Sequence, residues 1–126
     1  MYRIKKRPKV LVVEDESISR EAFSLMLEQK GFISKEAANG KEALEKVMED
    51  KPDVIILDLM MPVMGGLETC LRLKENPETR DIPVIICSAT PLTELKKENV
   101  RFEGYIGKPF SIRELCKKIE EVLRLD

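Results

Sequence analysis

Three short runs of consecutive apolar residues constrain the fold of this chain more than any other feature. They read VLVV at 10–13, VIIL at 54–57 and VIIC at 84–87, and most of their residues are β-branched. None of them alternates with polar residues, which is typical of strands covered on both faces in the middle of a parallel sheet. The stretches between them have helical spacing, so we expect helices to supply the two covering layers.

Two more polar segments complete the predicted sheet. Residues 33–37 (ISKEA) and 104–107 (GYIG) have strand-like composition but fewer apolar side chains, which predicts strands at the two edges. Alternation of strands and helices with right-handed crossovers gives an open parallel sheet. The sequence therefore predicts an α/β fold with five strands in the order 2-1-3-4-5 and five helices on both faces.

Helix boundaries and buried faces follow from spacing and capping residues. Asn39 with Glu42, and Ser111 with Glu114, match the capping box that begins a helix. A short fourth helix is predicted over 93–99, and the last helix runs from 112 to the C-terminus. The predicted buried faces of the first three helices are Ile18, Ala22, Leu25 and Met26; Ala43, Leu44, Val47 and Met48; and Leu67, Cys70 and Leu71.

Composition limits the class of protein. The chain has 126 residues, enough for one domain, with 43% hydrophobic and 36% charged residues. No apolar run is long enough to span a membrane or to form a secretion signal, so we expect a cytoplasmic protein. The first nine residues carry five basic side chains and no acid. We interpret residues 1–8 as a solvated basic leader, not a nucleic-acid or membrane contact, and 9–126 as the folded domain.

The reactive side chains of this chain are restricted in kind. There are three cysteines, each within an apolar pattern and without the paired spacing of zinc or redox sites, so we expect buried reduced thiols. There is no histidine. Any chemistry must therefore use carboxylates, lysine and hydroxyl groups.

Polar residues follow the predicted strands at the points where the strands end. Sites in such sheets form at the carboxyl ends of the strands, near the reversal of strand order between strands one and three. The residues found there are Glu14, Asp15 and Glu16 after strand one, Asp58 after strand three, Ser88 after strand four and Lys108 after strand five. We expect these side chains to meet in one site.

This set of residues predicts phosphoryl chemistry with a divalent cation. Several acids brought together repel one another unless a cation lies among them, and oxygen ligands without His or Cys favour Mg²⁺. A carboxylate such as Asp58 can accept a phosphoryl group when charge on the transferring oxygens is neutralised. Lys108 and the hydroxyl of Ser88 can contact those oxygens.

Four segments together resemble the receiver domain of two-component response regulators. They are VLVVEDE, DLMMPVMGG, CSAT and GYIGKPF, and the likeness extends over nearly the whole chain. The resemblance implies a flavodoxin-like fold and a phosphoacceptor in two-component or phosphorelay signalling. It implies that Asp58 receives its phosphoryl group from a sensor histidine kinase or a histidine phosphotransfer protein, and that the domain then changes its binding to a downstream protein.

The resemblance also implies roles for individual residues. Asp15, assisted by Glu14, would bind Mg²⁺ together with Asp58 and the backbone carbonyl of Met60. Lys108 and Ser88 would contact the phosphoryl group. Tyr105 would be an aromatic switch that moves inward as Ser88 shifts, and the bond between Lys108 and Pro109 would be cis.

The sequence departs from the family pattern at two places that bear on function. Glu14 is one methylene longer than the aspartate often found there, so its contact with the metal is expected through water. Glu103-Gly104 stands where the family has Gly-Ala, which affects the surface formed by the fourth helix, the last strand and the last helix.

Other functions were weighed against the same residues. A flavin mononucleotide carrier would need hydroxyls and amides in the first loop, which here reads EDE. A phosphatase with an aspartyl intermediate would have a second Asp at the position of Met60. A non-phosphorylated receiver-like interaction module stays open as the alternative. We expect no enzyme activity beyond the chain's own phosphorylation and dephosphorylation, and either a stand-alone receiver or part of a larger regulator.

Overall fold

The computed structural model describes residues 7–61 and 63–123. A 3₁₀ turn at Lys96–Glu98 follows the fourth helix. The elements in chain order are β1 (Lys9–Val13), α1 (Ser17–Gln29), β2 (Ile33–Ala37), α2 (Gly40–Glu49), β3 (Val54–Asp58), α3 (Gly66–Glu75), β4 (Val84–Ser88), α4 (Leu92–Leu95), β5 (Gly104–Gly107) and α5 (Ile112–Leu123).

The five strands form one parallel sheet in the order β2-β1-β3-β4-β5. In its centre, Val13 pairs with Leu57, and Leu57 pairs with Ile86. The more polar strands β2 and β5 are at the edges, as their composition predicts. The predicted α/β fold class and strand order are therefore confirmed.

Alternate residues of the central strands β1, β3 and β4 pack into two separate cores. In β1, Leu11 and Val13 pack on the side covered by α2, α3 and α4, while Val10 and Val12 pack on the side covered by α1 and α5. This period of two puts a fully apolar strand between two helical layers. All described strands point the same way, so their carboxyl ends lie at one end of the sheet.

The predicted buried face of α1 is wrong. Ile18 is 77% exposed and Leu25 is 61% exposed, whereas Leu27 is fully buried. The helix carries two apolar stripes at helical spacing, and the second one contains Phe23, whose ring stacks on Phe110 with centroids 5.3 Å apart. Packing of this aromatic pair and Leu27 orients the helix, which leaves Ile18 and Leu25 at the surface.

The predicted capping box of α5 forms completely, whereas at α2 the Asn39 cap forms but the Glu42 carboxylate accepts from the Ala38 amide instead of the Asn39 amide. The buried faces are narrower than expected. The Asn39 side chain accepts a hydrogen bond from the Glu42 amide at 2.8 Å, and Ser111 accepts one from the Glu114 amide at 3.1 Å. Ala43, Val47 and Cys70 are buried as predicted, but Met48 is half-exposed and Leu71 is exposed. The predicted fourth helix is shorter than expected: α4 gives way to the 3₁₀ turn, which ends at Asn99 in the left-handed region (φ 58°).

The three thiols are free, and two of them, Cys70 and Cys87, are fully buried. Burial raises the pKa of Cys70 to about 11 and that of Cys87 to about 12. Cys116 is only partly buried. These thiols stay protonated at neutral pH, as expected for packing residues.

Most of the predicted basic leader lies outside the described residues. Its Arg3, Lys5 and Lys6 lie outside the described residues, so the division of the chain near residue 9 stays a prediction. Within the described part, Lys9 pairs with Asp50 at 2.8 Å. No described helix has both the length and the apolar character that crossing a membrane requires.

Candidate functional site

Three carboxylates meet at the carboxyl end of the sheet. Glu14 and Asp15 follow β1, and Asp58 is the last residue of the neighbouring strand β3. Each offers an oxygen within 4.8 Å of the others. Asp58 is only 5% exposed, whereas Asp15 is exposed at the rim. The parallel order of the strands thus brings together three of the four predicted acids. The fourth, Glu16, is not part of this group, and its carboxylate accepts a hydrogen bond from the Ser19 hydroxyl at 2.5 Å.

Lys108 reaches into this cluster from the end of β5. Its Nζ lies 3.0 Å from Asp58 Oδ1 and 3.8 Å from Glu14 Oε1. Burial lowers the pKa of Lys108, but the hydrogen bond and charge of Asp58, together with the charge of Glu14, outweigh it and raise the pKa overall. Lys108 therefore stays an ammonium ion against two carboxylates.

The cluster still has more negative than positive charge. Burial raises the pKa of Glu14, the negative charge of Asp58 raises it further, and the Glu16 amide and Lys108 only partly oppose this. Three carboxylates with one ammonium are a set of hard oxygen donors that a hard divalent cation would neutralise. The chemistry and spacing of these donors fit Mg²⁺.

Ser88 lies at the end of β4 and is fixed by its own loop. Its Oγ accepts a hydrogen bond from the Thr90 amide at 2.8 Å, and its carbonyl accepts one from the Lys108 amide at 2.9 Å. A hydroxyl has one hydrogen and two lone pairs, so accepting from Thr90 leaves the hydrogen of Ser88 for donation to another group. The side chain is 1% exposed in this arrangement.

Tyr105 contacts the same loop. Its hydroxyl donates to the Thr90 carbonyl at 2.7 Å and is 3.4 Å from the Ser88 carbonyl. A Cβ at Gly107 would be 3.3 Å from this hydroxyl, so the glycine makes room for the ring. The geometry links Tyr105 to the segment that carries Ser88, and the switch itself stays a prediction.

The loop after Asp58 holds Met60, whose side chain is 76% exposed. Its neighbour Met61 is buried, at 9% exposed. A Cβ at Gly66 would be 2.5 Å from the Asp58 carbonyl. Gly66 thus allows the close approach of α3 to β3. The bond between Lys108 and Pro109 is cis, as the resemblance implies.

One residue next to the site was missed by the sequence reasoning. Arg20 in α1 donates to the Glu14 carbonyl at 3.0 Å and to Glu36 at 3.0 Å, so it fixes the backbone that carries the acids. Its position could have indicated this role, because a basic residue one turn into the helix after an acidic loop lies close enough to contact that loop.

Comparison with known proteins gives consistent matches. A family model described as the response regulator receiver domain matches residues 10–120. The chain is 38% identical over 117 residues to the phosphate regulon transcriptional regulatory protein PhoB of Pseudomonas aeruginosa, covering 91% of this chain and 51% of that protein. The chain therefore spans about half the length of the curated relatives it matches.

Solved structures match over most of both chains. The chemotaxis protein CheY4 of Vibrio cholerae has a TM-score of 0.87 and 33% identity, covering 93% of this chain and 99% of that one. The receiver domain of a signal transduction histidine kinase from Syntrophus aciditrophicus has a TM-score of 0.84 and 30% identity, covering 92% and 89%. Similar receivers thus occur in proteins of different kinds.

Proposed function

Because the chain belongs to the response regulator receiver domain family, we propose that it accepts one phosphoryl group on Asp58 and passes a signal to a protein partner. Receiver domains are in general signalling modules and not enzymes. The observation that carries the proposal is the buried Asp58 carboxylate, held 3.0 Å from the Lys108 ammonium inside an acidic cluster.

The transfer forms one bond and breaks another. An oxygen of Asp58 attacks phosphorus, the P–N bond of a phosphohistidine on the partner breaks, and the imidazole keeps the electron pair and takes up a proton. The phosphohistidine lies outside these 126 residues, which contain no histidine. Lys108 donates to a phosphoryl oxygen, and Ser88 donates the hydrogen that its contact with Thr90 leaves available.

Receivers of this family typically bind Mg²⁺ at an acidic pocket. Here Glu14, Asp15, Asp58 and the Met60 carbonyl would hold it, and when bound it neutralises charge on the phosphoryl oxygens. Without it, the carboxylates repel both one another and an incoming phosphate. The protein's own contribution is to hold these oxygens and Lys108 around one point.

The signal would leave through the loop after β4. A phosphoryl group that accepts hydrogen bonds from Ser88 and Lys108 would shift the loop that contains Ser88 and Thr90. The Tyr105 hydroxyl is bonded to the same loop at the Thr90 carbonyl. This biases an equilibrium between two arrangements of the loop, α4 and β5, and the partner binds one of them. To change the population from almost entirely inactive to almost entirely active, the contacts of the phosphoryl group must favour the active arrangement by about 5 kcal/mol. Several charge-assisted hydrogen bonds can supply this free energy.

Exposed apolar side chains at the site give the phosphohistidine-bearing protein a surface to dock on. Ile18 begins α1 directly after the acidic loop, and Met60 and Val63 lie in the loop after Asp58. They are 77%, 76% and 50% exposed. An apolar rim around a charged centre is typical of protein interaction sites.

The test is phosphorylation by a small donor. After incubation with Mg²⁺ and acetyl phosphate, the protein should gain the mass of one phosphoryl group, measured on the intact chain. Asp58→Asn should gain none, because its amide is not a nucleophile. Asp81→Asn is a matched control, since Asp81 is exposed in the loop before β4, and it should gain the same mass as the parent. An unmodified parent, or a modified Asp58→Asn, would refute the proposal.

A further inference from the structure

The loop after Asp58 is held by contacts from two helices. This segment, which we call the Asp58 loop, covers residues 59–65, of which Pro62 lies outside the described residues. The Gly40 amide at the start of α2 donates to the Val63 carbonyl at 3.2 Å. The Thr69 hydroxyl in α3 donates to the Gly65 carbonyl at 2.9 Å. Hydrogen bonds from α2 and α3 therefore hold the side of the loop that faces these helices.

Gly40 and Thr69 pack so closely that a side chain at position 40 would collide with the Thr69 hydroxyl. Thr69 is 0% exposed, and a Cβ on Gly40 would be 2.0 Å from its Oγ1 and 2.6 Å from the Met64 carbonyl. A threonine near a helix start often donates to the carbonyl four residues back, as Thr69 does to Gly65. In this protein the first turn of α2 also packs directly against the Thr69 hydroxyl and the Asp58 loop.

The loop is exposed at Met60 and has an unusual backbone conformation at Met64. The Met60 side chain is 76% exposed, and Met64 has a left-handed backbone (φ 53°), a region in which residues other than Gly are uncommon. The neighbouring Met61 is buried, and the contacts from Gly40 and Thr69 lie further along the loop. On the other side of Met60, the Leu59 carbonyl accepts a hydrogen bond from the Gly66 amide at 3.2 Å. The segment that carries the Met60 carbonyl is therefore held at one end by this bond and at the other by the contacts from Gly40 and Thr69.

We propose that Thr69 and Gly40 are positioning residues that fix the Asp58 loop, and with it the Met60 carbonyl, for the divalent cation. The inference rests on the proposed function, in which that carbonyl is a metal ligand. Mg²⁺ requires near-ideal octahedral geometry, so a displaced ligand weakens binding. Residues that orient metal ligands from behind typically change metal affinity by about 10- to 100-fold when mutated.

The experiment compares two buried threonines. Thr69→Val removes the hydroxyl that holds the loop. Thr79→Val is the matched control, because Thr79 is 3% exposed and donates to the Leu73 carbonyl at 2.7 Å, beyond the opposite end of α3. The Mg²⁺ dissociation constant is measured by isothermal titration calorimetry, and stability by urea unfolding.

We expect Thr69→Val to bind Mg²⁺ about tenfold more weakly, Thr69→Ser to bind like the parent, and Thr79→Val to lose stability while binding like the parent. The inference would be overturned if Thr69→Val had the Mg²⁺ dissociation constant of the parent. It would also be overturned if Thr79→Val lost as much Mg²⁺ affinity as Thr69→Val. A parent that does not bind Mg²⁺ would instead refute the metal site of the proposed function.

A second measurement needs no variant and covers the case in which Thr69→Val does not fold. Hydrogen exchange of the Gly40 amide, which donates to Val63, is followed in the parent with and without Mg²⁺. Exchange should slow when Mg²⁺ is bound, because fixing the loop also fixes the acceptor of that hydrogen bond. An exchange rate that Mg²⁺ leaves unchanged would contradict the role of Gly40.

Discussion

Lys108 and Lys74 each hold a carboxylate, one at the carboxyl end of the sheet and the other at the amino end. Lys108 is 3.0 Å from Asp58, and Lys74 is 2.7 Å from Glu103. In the first pair the anion is the buried member, since the Asp58 side chain is 6% exposed and that of Lys108 is 36% exposed. In the second pair the cation is buried, with the Lys74 side chain 6% exposed and that of Glu103 32% exposed.

The partners of the two buried charges differ. The three N–H groups of Lys74 have three acceptors, the carbonyls of Arg80 and Ile82 and the carboxylate of Glu103, which also accepts from the Val84 amide. Asp58 instead shares one lysine with further acids. A full set of partners compensates a buried charge for its lost hydration, so that removing one partner is costly. A charge in an unbalanced cluster instead leaves an affinity for other ions. The same residue types therefore serve structure at one end and chemistry at the other.

Replacing Lys74 with Met tests the structural end and should have the largest effect. The variant leaves Glu103 and two carbonyls without the ammonium, so we expect a loss of about 3 kcal/mol in the free energy of unfolding. Urea unfolding followed by circular dichroism measures it. Lys97→Met is the control, because its pair with Glu94 is exposed and should contribute less than about 0.5 kcal/mol. Equal stabilities of the two variants would show that the Lys74 cluster contributes nothing special.

The same substitution at Lys108 should have a smaller effect on stability and a larger one on signalling. Lys108→Met leaves the Asp58 carboxylate, which is 6% exposed, without its ammonium, but solvent reaches the pair through the 36% exposed Lys108 side, so we expect a cost of about 2 kcal/mol in the absence of metal. The variant should still take up some phosphoryl group from acetyl phosphate, as measured by intact mass. Hydrogen exchange of the loop after β4 should then no longer respond to phosphorylation. A response like that of the parent would show that Lys108 does not transmit the signal.

Local patterns were sufficient to predict the sheet and the meeting of Glu14, Asp15, Asp58 and Lys108, although not of Glu16. The apolar runs identify the central strands because such runs need two covering layers, and parallel order then brings Asp15, Asp58 and Lys108 to one end. The buried face of α1 could not be predicted in this way. Two stripes on that helix satisfy the same spacing, and only the packing of Phe23 on Phe110 chooses between them.

The roles of two other residues depend on contacts far apart in the chain. Glu103 looked like a departure that affects the signalling surface, but its carboxylate binds Lys74, which is 29 residues away in sequence. Gly40 resembled an ordinary residue at a helix start, and its contact with Thr69 appears only when α2 packs beside α3. Neither contact has a spacing that sequence reasoning could recognise.

The smallest effect on stability is expected from Glu14→Gln. This variant directly tests the excess negative charge of the acidic cluster. Burial raises the pKa of Glu14 in the folded state, so its ionisation opposes folding at pH values above that pKa. In metal-free protein at pH 7 the variant should therefore be slightly more stable than the parent in urea unfolding. The difference should shrink as pH falls through the raised pKa and vanish below the ordinary value of 4.5. With saturating Mg²⁺ the sign should reverse, because the parent then gains binding energy that the variant lacks. A variant that is less stable than the parent in metal-free solution at pH 7 would mean that Lys108 already balances the acids.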